Sequence, residues 1–201
     1  IVEENPFLGW RGIRVTLDHP EVFLVQIRAM IKASEGLDNL RIMLPMISNV
    51  SEIEEAQHLI YRAWHEVRDE GYQLAMPQVG VMIEIPAAVY QVREIAARVD
   101  FVSVGSNDLT QYLLAVDRNN PRVASLYHSY HPAVLQALCQ VAQDCHDVGK
   151  PVSICGELAG DPGGALLDLG EQFLNAIGSG DAGTEWREEV NESLTGEGQI
   201  D

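Results

Sequence analysis

The sequence predicts an α/β protein built from βα units, its parallel sheet covered by helices on both faces. Short apolar runs of strand length alternate with longer stretches of helical period along most of the chain. The runs are near-continuous in apolar character, as strands buried on both faces are. The stretches between them are long enough for right-handed crossovers, which make successive strands parallel. Two architectures satisfy this pattern, an open doubly wound sheet and a (β/α)8 barrel. Four strands are too few to close such a barrel, so a barrel here would be a partial one.

In order, Asp18-His-Pro-Glu21 opens a helix whose apolar positions are Val22, Val25, Ile27, Met30 and Ile31. The run 40–47 is a buried strand. Ser51-Glu-Ile-Glu54 reads as a capping box, in which each side chain satisfies the other's orphan amide, and the helix it starts runs to a stop at Gly71. Residues 79–85 form the second strand, and Pro86 suits the first turn of a helix reaching Arg98, since its missing N–H is not needed there. Residues 101–105 are the third strand. A Ser/Asn/Asp turn follows, then a helix over 109–116 for which Asp108 is a natural N-cap. A helix over 132–148 ends at Gly149 before Pro151, residues 151–155 are the fourth strand, and 163–169 a short helix. Residues 171–201 change character, with eight acids, one Arg and a net charge of −7. That composition predicts a weakly ordered, solvated tail with at most short helices near 171–177 and 186–194. The expected organisation is therefore a barrel-like part over 1–170 and an acidic tail over 171–201.

Charge and cysteine usage narrow the function. Thirty acidic against thirteen basic residues give a net charge of −17. Such a field repels phosphate backbones and anionic lipid, and the basic residues are scattered singly, so neither nucleic acid nor a membrane surface is an expected partner. Cys139, Cys145 and Cys155 form no CxxC pair, which suits reduced thiols in a cytoplasmic protein rather than a disulfide framework or a zinc site. No apolar run reaches transmembrane length, and Ile1-Val-Glu-Glu lacks the plan of a signal peptide. It also lacks an initiator Met, so a piece of a longer protein is expected.

In parallel α/β folds the active site lies at the carboxyl ends of the strands. Glu84 lies inside the apolar Val-Met-Ile-Glu-Ile-Pro run, where a carboxylate is costly unless paired or metal-bound. Asp108 follows the third strand and would face the same mouth. Two hard carboxylates with open positions are what Mg²⁺ takes from a protein when substrate oxygens and water complete its shell. Asn107 stands beside Asp108, and Arg118, in Ala115-Val-Asp-Arg118, falls just past the helix that follows. An Arg fork suits carboxylate or phosphate, although a surface ion pair is the commoner use, and Arg11 is equally ambiguous from spacing. Cys155 at the fourth strand's end is either a small buried hydrophobe or a thiol acid/base. The residues alone thus point to a Mg²⁺ site for an oxyanion substrate, with a thiol nearby.

Three blocks go further. Gly80-Val-Met-Ile-Glu-Ile-Pro-Ala-Ala88, Gly105-Ser-Asn-Asp-Leu-Thr-Gln-Tyr112 with Ala115-Val-Asp-Arg118, and Cys155-Gly-Glu-Leu-Ala-Gly-Asp161 resemble signatures of the phosphoenolpyruvate-protein phosphotransferases. This family is Enzyme I of the bacterial sugar phosphotransferase system and its nitrogen-related paralogue. Asn5-Pro-Phe-Leu-Gly-Trp-Arg11 and Arg41-Ile-Met-Leu-Pro-Met46 resemble it too, so the likeness runs in order from about residue 5 to 170. It favours the nitrogen-related form, on stretches such as Tyr112-Leu-Leu-Ala-Val-Asp-Arg-Asn-Asn120.

The resemblance implies a partial (β/α)8 barrel that binds phosphoenolpyruvate and Mg²⁺ and forms a homodimer in the intact protein. By motif, Glu84 and Asp108 resemble the metal ligands. Arg11, Asn107 and Arg118 resemble groups holding the phosphate, with the Asn107–Asp108 turn also close to the substrate carboxylate. Cys155 resembles the acid that protonates the enolate carbon to give pyruvate. The family's phospho-accepting histidine lies in an N-terminal domain, and the phosphoryl group passes from it to a histidine phosphocarrier protein. None of His19, His58, His65, His128, His131 and His146 sits in the required Gly-rich motif. Two further phosphate-binding arginines of the family precede the Asn5–Arg11 block, and residues 171–201 do not resemble its closing strand and helix. The chain by itself is therefore expected to transfer no phosphate. Two rival readings are the barrel of a pyruvate phosphate dikinase or phosphoenolpyruvate synthase, and a non-catalytic dimerisation or regulatory module.

Overall fold

The computed structural model describes residues 3–160. The chain divides into two compact units, Ile1–Leu158 and Ala159–Asp201, and the described residues belong almost wholly to the first. Four strands, β1 (Arg41–Leu44), β2 (Gln78–Ile83), β3 (Phe101–Gly105) and β4 (Val152–Cys155), form one sheet in the order β1-β2-β3-β4. Every neighbouring pair is parallel, with Ile42 opposite Val79, Val81 opposite Val102 and Gly105 opposite Cys155. A sheet whose order follows the sequence, with a helical crossover at each step, is an arc of a (β/α) barrel.

Each helix covers the sheet with one apolar face. Helix α1 (Ile13–Asp18) precedes α2 (Pro20–Ala33), and α3 (Val50–Asp69) crosses from β1 to β2. Along α3 the buried side chains are Ile53, Ala56, Ile60, Ala63 and Val67, a stripe at helical spacing. From α2 come Phe23, Ile27 and Ile31. Two short helices, α4 (Pro86–Val89) and α5 (Val92–Ala96), join β2 to β3. Helices α6 (Ser106–Leu114) and α7 (Pro132–Asp147) join β3 to β4, after which α8 (Glu157–Gly160) begins. Arg93 on α5 donates to Asp144 of α7 at 2.7 Å and also pairs with Asp147, tying the two outer helices together.

Several expectations are corrected. The capping box is Asn49–Glu52, not Ser51–Glu54: the Asn49 side chain accepts from the Glu52 N–H, and the Glu52 carboxylate accepts from the Asn49 N–H at 3.1 Å. Glu54 is engaged instead by Arg98 at 2.9 Å. The helix expected over 86–98 is broken at Tyr90–Gln91, where the Gln91 amide bridges the carbonyls of Ser48 and Ala87, both at 3.0 Å. Helix α6 starts at Ser106 rather than Leu109, so Asp108 is a helical residue and not a cap; its carboxylate is drawn to two arginines instead. It ends at Leu114, two residues early, because Ala115 turns left-handed at φ 51°. On α2, Val22 and Val25 face solvent at 61% and 69% exposure, with Met30 beside them; Phe23, Ile27 and Ile31 fill the core. Helix α1 was not among the expected elements. The helices expected near 163–169, 171–177 and 186–194, and the acidic tail, lie outside the described residues.

Candidate functional site

The carboxyl ends of β2 and β3, with the turn that precedes α1, bring together Glu84, Asn107, Asp108, Arg11 and Arg118. Glu84 follows the last residue of β2 and Asp108 stands in the first turn of α6, directly after β3. Both are buried, at 4% and 5% exposure. Arg11 Nη2 donates to Asp108 Oδ2 at 2.9 Å, and Arg118 Nη1 lies 2.8 Å from Asp108 Oδ1. The second contact is an ion pair poorly aligned for hydrogen bonding: neither Oδ1 nor Nη1, both buried, has a hydrogen-bond partner among the described residues. The Arg118 backbone is placed by its N–H, which donates to the buried Gln111 Oε1 at 3.1 Å.

Glu84 is held differently. Its Oε1 accepts the Met46 N–H at 2.7 Å, and no hydrogen bond reaches Oε2 among the described residues. Burial pushes its carboxyl above the ordinary range; the Met46 amide and the two arginines oppose that shift, while the negative Asp108 adds to it. Met46 presents its amide because the chain turns there at φ 61°, an uncommon conformation for a non-glycine residue. The turn docks on Gly12, at φ 59°, where an added Cβ would come within 2.8 Å of the Met46 side chain. The Ile13 N–H donates to the Pro45 carbonyl at 3.2 Å, so the turn after β1 also fixes the backbone that carries Arg11.

Asn107 and Cys155 sit where β3 and β4 end. Asn107 Oδ1 accepts the Glu157 N–H at 3.1 Å, and the Tyr127 hydroxyl donates to the Asn107 carbonyl at 3.2 Å. Ser106 Oγ donates to the Cys155 carbonyl at 2.8 Å, and the half-buried Cys155 thiol donates to the Val104 carbonyl at 3.2 Å. All six residues singled out from sequence thus lie at adjoining strand ends or on the turns packed against them.

The structure adds three residues. Met46 supplies the amide to Glu84. The hydroxyl of Tyr112, whose ionisation is raised first by burial and then by Asp108, donates to the Phe7 carbonyl. The Phe7 ring lies close to both arginines. All three stand in blocks quoted above, but their roles are contacts between distant segments that spacing does not reveal.

The donor set fits Mg²⁺. Two hard carboxylates, one with a buried oxygen lacking any aligned donor and the other with an oxygen that accepts nothing, suit a cation that takes few protein ligands. Among the described residues there is no cluster of three or more His, Cys, Asp or Glu, so an all-protein metal cage is not what they build. No helix among them is long and apolar enough to cross a membrane.

Comparison with known proteins gives the family. Residues 1–176 match the family model described as PEP-utilising enzyme, PEP-binding domain. The chain is 52% identical over 181 residues to a Salmonella typhimurium protein named phosphoenolpyruvate-dependent phosphotransferase system, covering 89% of this chain and 24% of that protein. It is 47% identical over 169 residues to the phosphoenolpyruvate-protein phosphotransferase of Haemophilus influenzae, covering 84% and 29%. The chain therefore spans about a quarter of the length of these relatives. Among solved structures, a citrate lyase from Burkholderia xenovorans superimposes with a TM-score of 0.53 at 25% identity, covering 69% of this chain and 41% of that one. With that model matching most of its length, the chain belongs to the family of PEP-utilising enzymes, through their PEP-binding domain.

Proposed function

We propose that this site binds phosphoenolpyruvate together with Mg²⁺, as the substrate-binding part of a phosphoenolpyruvate-protein phosphotransferase of the nitrogen-related type. The observation that carries the reading is the convergence of two buried carboxylates, Glu84 and Asp108, with two arginines at the mouth of a parallel sheet. Glu84 and Asp108 would hold the metal, which when bound neutralises charge on the phosphoryl and enolate oxygens. Arg11 and Arg118 present planar forks that match a phosphate in geometry and charge. Asn107 Oδ1 is occupied by the Glu157 N–H, which leaves the Nδ2 donors to serve an anion. Cys155 gives its thiol proton to the enolate carbon once the phosphoryl group has left, releasing pyruvate and leaving a thiolate.

In the intact protein the phosphoryl group goes to a histidine outside this chain and from there to a histidine phosphocarrier protein. We read that protein as a cytoplasmic homodimer. Calorimetric titration of the 201-residue chain with phosphoenolpyruvate, or with oxalate as an enolate mimic, tests the site. The expected result is binding that requires Mg²⁺ and is lost in Glu84→Gln and Asp108→Asn. Binding indifferent to EDTA and to both substitutions overturns the proposal, as does no binding at all.

A further inference from the structure

We infer that Phe7 is a positioning residue for anion binding: its ring is the platform that holds the Arg11 and Arg118 guanidinium groups side by side. The inference rests on the site proposed above and adds to it the means by which two like charges are kept together. The Arg11 Cζ lies 5.7 Å from the Phe7 ring centroid and the Arg118 Cζ 5.6 Å, both within the range where an aromatic quadrupole attracts a cation. The same two arginines take opposite oxygens of Asp108. Each guanidinium is therefore held twice, by the ring and by one carboxylate oxygen.

The two supports differ in what happens when ligands arrive. Asp108 is the residue proposed to hold the metal, and an arginine committed to phosphate has fewer N–H groups left for it. Phe7 has no competing partner of that kind. It keeps both forks near the site while they exchange the carboxylate for the substrate anion.

The ring is not recruited for packing alone. Phe7 is half-buried and stands outside the buried apolar core. Its backbone is nevertheless tied down. Leu8 N–H donates to the Asn5 carbonyl at 3.0 Å, and Arg14 donates to the carbonyls of Leu8 and Gly9 at 2.9 and 2.8 Å. The Tyr112 hydroxyl donates to the Phe7 carbonyl from across the site. A platform for a flexible cation needs such fixation, because the entropy of ordering two long side chains is otherwise lost on binding.

The test compares Phe7→Leu and Phe7→Trp with the natural chain in two measurements. Proton–nitrogen spectra of the arginine Nε–H groups read the platform without any ligand. Arg11 and Arg118, assigned through Arg11→Lys and Arg118→Lys, are expected to show ring-current displacement that disappears in Phe7→Leu and persists in Phe7→Trp. Titration with phosphoenolpyruvate and Mg²⁺ is expected to show affinity about tenfold weaker for Phe7→Leu and within about threefold for Phe7→Trp, in line with two partly exposed cation–aromatic contacts. Undisplaced arginine resonances in the natural chain overturn the inference whether or not Phe7→Leu folds, and so does unchanged phosphoenolpyruvate affinity in a folded Phe7→Leu. If the natural chain binds neither oxalate nor phosphoenolpyruvate, the proposed function fails while the spectra still decide the platform.

Discussion

Replacing Gly156 with alanine tests how the end of β4 is fitted against the start of α6. Gly156 has φ +104°, where an L side chain is strained by about 1–2 kcal/mol. An added Cβ would stand 2.6 Å from Ser106 Oγ and 2.9 Å from Asn107 Oδ1, so both side chains must move. Moving them breaks the 2.8 Å bond from Ser106 to the Cys155 carbonyl and the 3.1 Å bond from Glu157 N–H to Asn107. Each is worth about 1 kcal/mol net. The expected loss is roughly 3–4 kcal/mol, read as a lower urea midpoint with an unchanged m value. Gly36→Ala is the control, since Gly36 also has positive φ (79°) but nothing lies within 4 Å of its added Cβ. It should lose only the backbone share, about 1–2 kcal/mol. Equal losses in the two variants, or a loss below about 0.5 kcal/mol in Gly156→Ala, would refute the argued contact.

Two more perturbations address the frame around the site. Asn49→Ala removes the cap of α3 and should cost about 1 kcal/mol by urea unfolding, whereas Ser51→Ala should be close to neutral; the reverse ranking contradicts the observed capping box. Burial pushes the Cys145 thiol up to about 12 from an ordinary value of 9.0, so at pH 8 it should resist a thiol reagent until the chain unfolds. The native state then keeps its proton while the unfolded state loses it. Stability should fall as pH rises from about 9 toward 12, and a Cys145→Ala variant should lose that part of the slope.

Strands β2 and β3 were legible because burial on both faces leaves an apolar run that helix periodicity does not mimic. Strand β1, by contrast, alternates exposed and buried residues and covers only Arg41–Leu44 of the expected 40–47. The third strand is observed over the expected residues, Phe101–Gly105. Helix faces and ends were less legible. On α2 the 3.6-residue period fits Val22, Val25 and Met30 as well as Phe23, Ile27 and Ile31, and only the neighbouring α3 decides between them. At the start of α3 two overlapping frames, Asn49 to Glu52 and Ser51 to Glu54, satisfy the same rule, and Arg98 from a distant helix withdraws Glu54 from one of them. Asp108 carried two signals at once. Its spacing suited a cap, and Arg11, 97 positions earlier, decides against it. Glu84 was legible because a carboxylate in an apolar strand is costly to keep unpaired. Asp108 read equally as a cap, and the roles of Arg11, Asn107, Arg118 and Cys155 came from the family resemblance rather than from spacing. Phe7, Met46 and Tyr112 act by contact between segments far apart in sequence, so their roles appear only once the fold is known.

The central claim, that Glu84 and Asp108 with two arginines form a metal-dependent oxyanion site, is tested most directly by titrating the 201-residue chain with oxalate in Mg²⁺ and again in EDTA. Saturable 1:1 binding is expected in Mg²⁺ and vanishes in EDTA and in Asp108→Asn, with the variant still folded by circular dichroism. Binding of equal strength in EDTA, or in folded Asp108→Asn, would contradict it.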